Sequence, residues 1–512
     1  MNDISIDILE SLLGPDIDPV AAGLALRQIG AAAPSVGLDL LAAIADRDDE
    51  LAASDPAVIG GLIRGIHVLV LRDEPASLAA IDPGLVVRVQ SSLPDECINR
   101  FLLLHLLAMA KTDRSLEALV AILVNDPPSG WMEVAHVLSP LMQSRHWSLD
   151  AVFPRLLDGV VYPSLVTPVI DVANFATRTG IAKTHPAVGR VDLLNRLLGA
   201  VTGQLERFEA DPSSLGDDVK TVQDRLSQAV SLSVTLCDAL GLIGDATSRP
   251  RLADALHLRH RRVQCEAAGA LARMRDSDGR ERLVLLASEP SARLRVIAYA
   301  EELGIADDID PQYRTESAIA ESEVAIWLTQ PDRFGVPPTS VDTIDQRRMM
   351  WPGFEDPVDC FLVRFSYDLG QRQYSNIAIA GPTVFALTCD VADMQIDDIY
   401  AIYAGWQAEH DEIFTLAPTH FNAGQTRVAE QFKTLLGRAE YEDLKPELFG
   451  VFLDEHAVVF SAMRDDKPCR VLTDGLEIIP TPVAGRARPL EPVDVWNLFK
   501  GRKILRTFNP AT

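Results

Sequence analysis

Residues 232–245 read LSVTLCDALGLIGD, and residues 263–276 read VQCEAAGALARMRD. The apolar positions of the first stretch return in the second after 31 residues, and both stretches end in aspartate. Apolar residues at steps of three and four residues are typical of the buried face of a helix, and an aspartate at its end suits the turn before the next helix. A weaker third copy follows at Leu294, Ala298, Ile305 and Asp307. A helix pair with such a period cannot bury its apolar face alone, so the repeat predicts helices stacked on their neighbours.

The second helix of each pair repeats as well, because Arg249, Arg251 and Leu252 return as Arg280, Arg282 and Leu283. Helical spacing, interrupted by short turns with proline or glycine, extends from the first residues to about Gly304, without a convincing alternating strand. We therefore predict an N-terminal α-solenoid of helix pairs over residues 1–307. Among its helices we expect Pro56–Leu71, Cys97–Ala110, Ser115–Val124, Met132–Ser139, Val169–Arg178 and Val191–Phe208.

The stretches Leu240–Asp245 and Val263–Leu271 resemble HEAT-like repeats of the short kind found in relatives of the phycobilin lyases. The period of 31 residues is shorter than the roughly 40–47 residues of a full HEAT unit, as the short class requires. In that family, helix–turn–helix units stack into curved solenoids that mostly bind other proteins. The resemblance covers about residues 232–307 and implies a HEAT-like solenoid with a protein-binding role.

The pattern changes after Asp307. Residues 308–350 contain several proline turns around one helical stretch, Glu316–Leu328, and are predicted to be a connector. Residues 351–512 combine strand-like and helix-like runs, which favours a smaller α+β domain with an antiparallel sheet. The expected strands are Cys360–Tyr367, Tyr374–Ile379, Thr383–Cys389, Val451–Leu453, Val458–Ala462, Cys469–Thr473 and Leu476–Ile479, and the expected helices are Ile396–Phe414 and Gln425–Gly437.

The composition restricts the class of protein. A hydrophobic share of 47% excludes wholesale disorder, and a net charge of −26 is opposite in sign to that of proteins that coat nucleic acids or membrane surfaces. Successive cysteines lie at least 28 residues apart, which fits neither a zinc finger nor a dense disulfide framework. The start of the chain lacks the pattern of a signal peptide, and Phe101–Ala110 is far below the roughly 18–20 apolar residues that span a bilayer. We expect a soluble cytoplasmic protein.

Arginines concentrate at the end of the predicted solenoid. Eleven arginines and six acidic residues between Arg249 and Arg295 give a local charge of +5. Guanidinium groups one repeat apart should line one edge, where they can bind carboxylates or phosphates in bidentate fashion. The alternative is that they pair with acids of neighbouring repeats. We predict a partner-binding arginine ladder for a protein with an acidic patch, nucleic acid being the less expected partner, formed by Arg249, Arg251, Arg262, Arg280, Arg282 and Arg293.

Catalytic motifs are not found: the sequence contains neither a G-x-S-x-G elbow nor a phosphate-binding G-x-x-x-x-G-K-[ST] loop. We predict no catalytic residues, no cofactor and no metal site, and hence a non-enzymatic scaffold or adaptor. Imidazole and carboxylate together can hold a divalent metal, and they are adjacent at Glu409–His410 and at Glu455–His456. The alternative is therefore an enzyme or enzyme subunit with a small-molecule or metal site in the C-terminal domain, near Trp406, Glu409, His410 and His456.

Overall fold

Helices build the first of the two units into which the chain divides, Met1–Leu283, whereas the second, Val284–Thr512, combines helices with antiparallel strands. The computed structural model describes residues 3–509 except positions 16, 73, 95, 217, 331, 371, 409–413, 453 and 484–487. None of the described residues before Gly304 lies in a strand. The prediction of a mostly helical chain with a C-terminal antiparallel sheet region is thus confirmed, and the domain boundaries at residues 307 and 350 stay predictions.

The helices of the first unit follow one another through short turns, and the last of them runs two residues into the second unit. They are α1 Asp3–Glu10, α2 Pro19–Ala31, α3 Ser35–Ile44, α4 Asp48–Ala53, α5 Pro56–Arg72, α6 Glu74–Ala79, α7 Pro83–Ser92, α8 Phe101–Ala110, α9 Asp113–Asn125, α10 Trp131–Met142, α11 Leu149–Val152, α12 Pro163–Arg178, α13 Val191–Ala210, α14 Val219–Ile243, α15 Arg249–Leu256, α16 Arg261–Arg273 and α17 Ser277–Leu285.

Helices that are not adjacent in sequence pack on one another in a row. Helix α3 packs on α5, α5 on α8, α8 on α10, α10 on α12, α12 on α14, and α14 on α16. The intervening helices form further contacts, such as α13 with α15. One hydrophobic cluster runs through the unit from Ile8 to Met274, because each helix turns its apolar face toward the row.

The first two copies of the repeat agree in burial and in their turns. Leu236, Ala239 and Leu240 of α14 are at most 3% exposed, as are their counterparts Ala267, Ala270 and Leu271 of α16. After each helix an aspartate accepts a backbone N–H bond: Asp245 from Thr247 at 2.8 Å, and Asp276 from Gly279 at 3.0 Å. The predicted turn role of these two aspartates is confirmed.

The register predicted for the third copy is wrong. Ala298 is exposed, and the buried residues of the corresponding helix are instead Val296, Tyr299 and Ala300. These follow their counterparts of α16 by 29 residues rather than 31. The physical reason is that the predicted register would place Glu301 and Glu302, which are exposed, toward the core.

In each of the three copies the helix ends at a residue with left-handed backbone, and this feature leads to a prediction about stability. The backbone is left-handed at Gly244 (φ 74°), Arg275 (φ 61°) and Gly304 (φ 68°), and this conformation is unfavourable for a residue with a Cβ atom. We expect Arg275→Gly to raise the free energy of unfolding by about 0.5–1 kcal/mol, measured by urea denaturation. Arg275→Ala keeps the Cβ atom and is the control that should show no such gain. A destabilised glycine variant would contradict the prediction.

The second unit contains two antiparallel sheets rather than the single predicted sheet, with strand orders β1-β2-β3 and β4-β5-β6-β7-β8. Its elements are α18 Pro290–Leu303, α19 Glu316–Leu328, β1 Ser340–Met349, β2 Val358–Asp368, β3 Gln373–Ala380, α20 Ile396–Gln407, β4 Phe414–Leu416, α21 Ala423–Arg438, β5 Glu442–Phe452, β6 Glu455–Arg464, β7 Lys467–Thr473, β8 Ile478–Pro482 and α22 Pro492–Phe508.

Several predicted bounds change here. The helix predicted at Glu316–Leu328 is confirmed, but the predicted connector also contains β1, which pairs with β2 from Ser340–Ser366 to Met349–Val358. The stretch Thr383–Cys389 is not a strand, since its described pairing is a single bridge between Phe385 and Ile379. Strand β1 and the first half of β5 are not predicted, because both are rich in charged residues and lack the apolar pattern of a strand.

One module occurs twice in the second unit. The order helix, three-strand antiparallel meander, helix describes α19-β1-β2-β3-α20 and again α21-β5-β6-β7-α22, with β8 added beside β7 in the second copy. The closing helices correspond residue by residue at a distance of 96 positions. The matching pairs are Ile399 with Val495, Tyr400 with Trp496, Ala401 with Asn497, Ile402 with Leu498, Tyr403 with Phe499, Ala404 with Lys500 and Gly405 with Gly501.

Each sheet is covered on both faces, as its alternating side chains require. Phe361 and Val363 of β2 pack with α19, whereas Cys360 and Leu362 face the cluster that contains α20 and α22. In the second module Val458 of β6 likewise packs in the cluster of α21, and the other face of the sheet meets α22. Helices α20 and α22 therefore pack on each other between the two sheets.

One described helix, α14, is long and apolar enough to cross a membrane by length and composition alone. Of its most apolar 18-residue window, 56% is buried inside the first unit, where α14 packs against α12, α13 and α16. A core helix passes the same test, so the apolar character of α14 is explained by its neighbours.

Candidate functional site

Five of the six predicted partner-binding arginines lie at least partly on the surface of the first unit. Arg249, Arg251, Arg262 and Arg280 are exposed, and Arg282 is half-buried. We call these five residues the arginine surface. Its scaffold is the repeat itself, since Leu252 of α15 and Leu283 of α17 are both fully buried and fix which side of each helix turns outward.

The local contacts of the arginine surface orient its side chains. Arg249 donates from Nη2 to the backbone oxygen of Met274, at the end of α16, over 2.8 Å. Arg251 forms a 3.2 Å ion pair with Asp254, in which both side chains are about half exposed to solvent. An exposed pair of this kind contributes little to stability. Arg251 is therefore available to exchange Asp254 for a carboxylate of a partner.

Arg293 does not belong to this surface, which corrects the prediction. Its side chain is 4% exposed and donates to the backbone oxygens of Ala287 (2.9 Å) and Ala318 (2.6 Å) and to Glu321 (3.0 Å). The shift of two residues in the third copy turns this arginine inward. Its hydrogen bonds connect segments within the second unit, and a side chain that is buried in this way cannot contact a partner.

A charged cluster that sequence reasoning missed lies between α12, α14 and α16. Arg178 of α12 forms a two-pronged ion pair with Asp238 of α14, with Nε and Oδ2 3.1 Å apart, and Nη1 of Arg273 lies 3.8 Å from the same carboxylate. Asp238 and Glu266 are 8% and 3% exposed. The cluster thus places several charges between helices of the row, where water screens them poorly.

Asp171 of α12 belongs to this cluster and has a raised pKa. Burial raises the pKa of its carboxyl to about 6, although the Thr235 hydroxyl donates to it over 2.7 Å and the Arg262 charge opposes the rise. The neighbouring carboxylates of Asp238 and Glu266 raise this pKa further. A buried carboxyl with such a pKa can exchange a proton near neutral pH.

Little in the sequence could have shown this cluster. Asp171 and Thr235 are 64 residues apart, so they meet only because α12 packs on α14. The one available signal is the repeat: Thr235 and Glu266 are 31 residues apart and occupy the same position of α14 and α16. A polar residue at a repeated buried position indicates a polar contact with a neighbouring helix, because buried polar groups are almost always hydrogen-bonded.

Of the metal candidates of the enzyme alternative and their neighbours, the structure describes Glu455 and His456. Glu409 and His410 lie outside the described residues. His456 is exposed on β6, with its ring centroid 5.4 Å from that of Phe449, and Glu455 pairs instead with Lys503 at 2.8 Å. Among the described residues no group of three or more histidine, cysteine, aspartate or glutamate side chains is placed to hold a metal.

Trp406, near which the enzyme alternative places a site, stacks on Phe385 with ring centroids 3.9 Å apart and remains 43% exposed. A cavity of about 480 Å³ lies at the end of α20, and Trp406 is not among its lining residues. Within its wall the Trp351 indole donates to the Gln407 side chain over 2.8 Å. The described lining residues are Met350, Trp351, Pro352, Gly353, Phe354, Gln407, Ala408, Ile504 and Phe508.

Lys500 of α22 is buried beside this cavity. Its side chain belongs to a residue that is 6% exposed, and its ammonium donates to the backbone oxygen of Ala408 over 3.2 Å. Burial lowers the pKa of this amine from its usual value, because the charged form loses its hydration. The ammonium is thus held at the C-terminal end of α20, where backbone oxygens favour a cation.

Comparisons of the chain with protein-family models, with curated proteins and with solved structures find no match. The resemblance to short HEAT-like repeats therefore stays a prediction that rests on the residues of the first two copies.

Proposed function

We propose that the chain is a non-enzymatic scaffold or adaptor whose first unit is an α-solenoid of helix pairs and whose arginine surface binds a protein partner through an acidic patch. The observation that carries the proposal is the equivalent placement of Arg249 with Arg280, and of Arg251 with Arg282, on helices whose buried leucines repeat. A row of guanidinium groups set by a repeat matches a row of carboxylates.

The packing of helices that are not adjacent in sequence supports the solenoid part of the proposal. In a solenoid each pair contacts mainly its neighbours, and the row α3, α5, α8, α10, α12, α14, α16 follows this rule. The extended surface of such an array suits a partner that contacts several repeats at once.

The charge pattern supports a protein partner over nucleic acid. Arg282 is half-buried and Arg262 is exposed, and the charge of Arg262 acts on the buried carboxyl of Asp171 as well as outward on a partner. Affinity for a nucleic acid depends on extensive cationic contact with phosphates, and the chain as a whole carries −26. An acidic segment of a protein needs only the local positive patch.

Charge reversal tests the proposal. We expect the double variant Arg251→Glu, Arg282→Glu to bind an immobilised poly-glutamate peptide at least about tenfold more weakly than the native protein, a loss of about 1.4 kcal/mol. Binding is measured by surface plasmon resonance at two salt concentrations. The melting temperature should change by less than about 2 °C, because neither arginine is buried.

The matched control is Arg145→Glu, Arg196→Glu, which changes the net charge equally at two exposed positions of the same unit. It should keep most of the affinity. An equal loss of affinity in both double variants would mean that only the overall charge matters. An unchanged affinity in the variant with Arg251→Glu and Arg282→Glu would contradict the proposed role of the arginine surface. A large fall in melting temperature would assign these arginines to pairing within the fold.

The metal branch of the enzyme alternative rests on Glu409 and His410, which lie outside the described residues, and no group of metal-binding side chains is present among the residues that are described. Its small-molecule branch has one specific observation in its favour, the cavity beside Lys500. That cavity lies in the second unit and is independent of the arginine surface.

A further inference from the structure

We propose that the cavity between α12, α13 and α14 of the first unit binds a small carboxylate with a compact apolar body, whose charged group pairs with the guanidinium of Arg225. The inference goes beyond the scaffold function, because it concerns a small ligand and uses none of the residues of the arginine surface. The cavity has a volume of about 280 Å³, and all three helices contribute to its wall.

One face of α14 gives the cavity its charge. The residues of α14 that line the cavity are spaced by three and four positions and therefore share one face of the helix: Arg225, Gln228, Ala229 and Leu232. Along the helix the order is a cation, an amide and then two apolar residues. Because Arg225 belongs to the lining itself, its side chain can reach a ligand in the cavity.

The lining residues of α13 follow the same order from polar to apolar. Helices α13 and α14 are consecutive and are joined by the short connection 211–218, so they run antiparallel. Gln204, which is nearer to this connection, therefore belongs to the same end of the cavity as Arg225, whereas Leu197 belongs to the end of Leu232. The wall that these two helices form thus has a polar end and an apolar end, as a site for an amphipathic ligand requires.

The third wall is apolar. It consists mainly of residues at the start of α12 and directly before it: Val160, Val161, Pro163 and Val166. Val160 and Val166 are each 5% exposed, whereas Val161 is 76% exposed, so this wall runs from the interior to the surface. A ligand with an apolar body gains free energy when it covers such a wall.

Arg225 is held in position at the polar end. Its Nη1 donates to the backbone oxygen of Leu215 over 2.7 Å. A guanidinium carries five N–H donors in a planar fork, so it can bind both oxygens of a carboxylate while it keeps this bond. The side-chain amides of Gln204 and Gln228 also line the cavity and can donate as well. These groups favour a carboxylate over an alcohol of the same shape.

The repeat does not account for this arrangement. Helix α14 has 25 residues, whereas its counterpart α16 has 13. The repeated pattern begins at Leu232, so the first half of α14, which carries Arg225 and Gln228, is an extension beyond the repeat. Stacking of helix pairs does not require this extension, and a ligand site gives it a function.

The volume of the cavity restricts the ligand. A volume of about 280 Å³ is close to the lower end of the roughly 300–1,000 Å³ that is usual for small-molecule sites. It is about twice the roughly 150 Å³ of an apolar cavity that holds benzene. An aromatic ring with a short acid chain fits this space, whereas a long fatty acid does not.

The experiment measures binding of 3-phenylpropionate to the full-length protein by isothermal titration calorimetry. We expect it to bind at least about tenfold more tightly than 3-phenyl-1-propanol, which has the same ring and chain without the charge. Arg225→Gln should remove this preference, whereas Arg145→Gln, at an exposed position of the same unit, should preserve it. Failure of 3-phenylpropionate to bind, equal affinity for the two ligands, or an unchanged preference in Arg225→Gln would overturn the proposal.

Two further variants show where the ligand binds. Ala229 lies in the cavity wall and is 4% exposed, so Ala229→Leu should fill part of the cavity and weaken the binding of both ligands at least about tenfold. The variant Arg251→Glu, Arg282→Glu alters the arginine surface and should keep the native affinity for 3-phenylpropionate, which separates this site from the proposed scaffold function. Native affinity in a folded Ala229→Leu variant, or a loss of affinity in the arginine-surface variant, would overturn the proposed site. Because Arg225 is exposed, the test with Arg225→Gln is valid even if Ala229→Leu does not fold.

Discussion

Replacing Gly501 by alanine is expected to lower the free energy of unfolding of the second unit by at least about 3 kcal/mol. A Cβ atom at this position of α22 would lie 1.6 Å from the backbone oxygen of Ala401 in α20. The contact is with backbone rather than with the end of a flexible side chain, so it is relieved only if the two helices separate. Their separation would open the core cluster that includes Tyr403 and Phe499.

The duplication predicts a second substitution with the same effect. A Cβ atom at Gly405 would lie 1.9 Å from the backbone oxygen of Asn497, the mirror of the contact at Gly501. Hydrogen exchange followed by mass spectrometry should show faster exchange throughout β2, β3, β5 and β6 in both variants, with helices α3 to α10 unchanged.

A glycine in the same unit provides the control. Gly437 of α21 has no atom within 4 Å of the position of an added Cβ atom, and alanine is the better helix former by about 1 kcal/mol. Gly437→Ala should therefore be neutral or slightly stabilising. If Gly501→Ala unfolds at the same urea concentration as the native protein, the close approach of α20 and α22 is wrong.

The sequence predicts those elements of the fold that are determined by contacts within one segment, and it predicts less well those that depend on contacts between distant segments. The sequence predicts the helix at Glu316–Leu328 with its observed bounds, and it predicts the helix after Asp55 to within one residue, as Pro56–Leu71 for the observed Pro56–Arg72. Both are set by capping residues and apolar spacing within one segment. Strand β1 was missed because its polar residues lie at the edge of a sheet, where pairing with β2 and not burial defines the strand.

The functional residues were harder to predict because they depend on packing between distant segments. The arginine surface follows from the period of the repeat, yet Arg293 turned inward when the third copy shifted by two residues. The cavity beside Lys500 needs α20, α22 and residues 350–354 together. A signal for the duplication was present in the sequence, since the spacing of 96 residues aligns Tyr403 and Gly405 with Phe499 and Gly501.

Acid should destabilise the first unit well above the pH at which most carboxylates titrate. The cause is a set of largely buried histidines, for each of which burial lowers the pKa from 6.5 to about 4: His67, His105, His185 and His260. At any pH between the lowered pKa of the folded state and the ordinary pKa of the unfolded state, the folded state thus binds fewer protons than the unfolded state. The stability that the neutral imidazoles contribute is complete above pH 6.5 and is lost as the pH falls toward 4.

The contacts explain why these histidines resist protonation. His185 accepts the Ala187 N–H at Nδ1 (3.1 Å) and contacts the Asn174 side-chain oxygen through Nε2 (2.9 Å), so the neutral ring satisfies both nitrogens. The rings of His67 and His105 meet at 3.0 Å between Nε2 and Nδ1, where two protonated rings would repel each other.

We expect the free energy of unfolding to fall by about 1–2 kcal/mol per histidine between pH 7.5 and pH 5, after allowance for solvent screening. Asp171 acts in the opposite direction, because its pKa is raised to about 6 and its protonation recovers about 1 kcal/mol. The net effect is still a loss of several kcal/mol. Urea denaturation at half-unit pH steps, followed by circular dichroism, measures it.

His185→Gln separates this mechanism from general acid denaturation. The amide of glutamine can accept from Ala187 and donate to Asn174 without titrating, so the variant should lose about 1 kcal/mol less between pH 7.5 and pH 5 than the native protein. His146→Gln, at an exposed position of the same unit, should leave the pH dependence unchanged. A stability curve that is flat down to pH 4.5, or one that His185→Gln does not alter, would contradict the assignment to buried histidines.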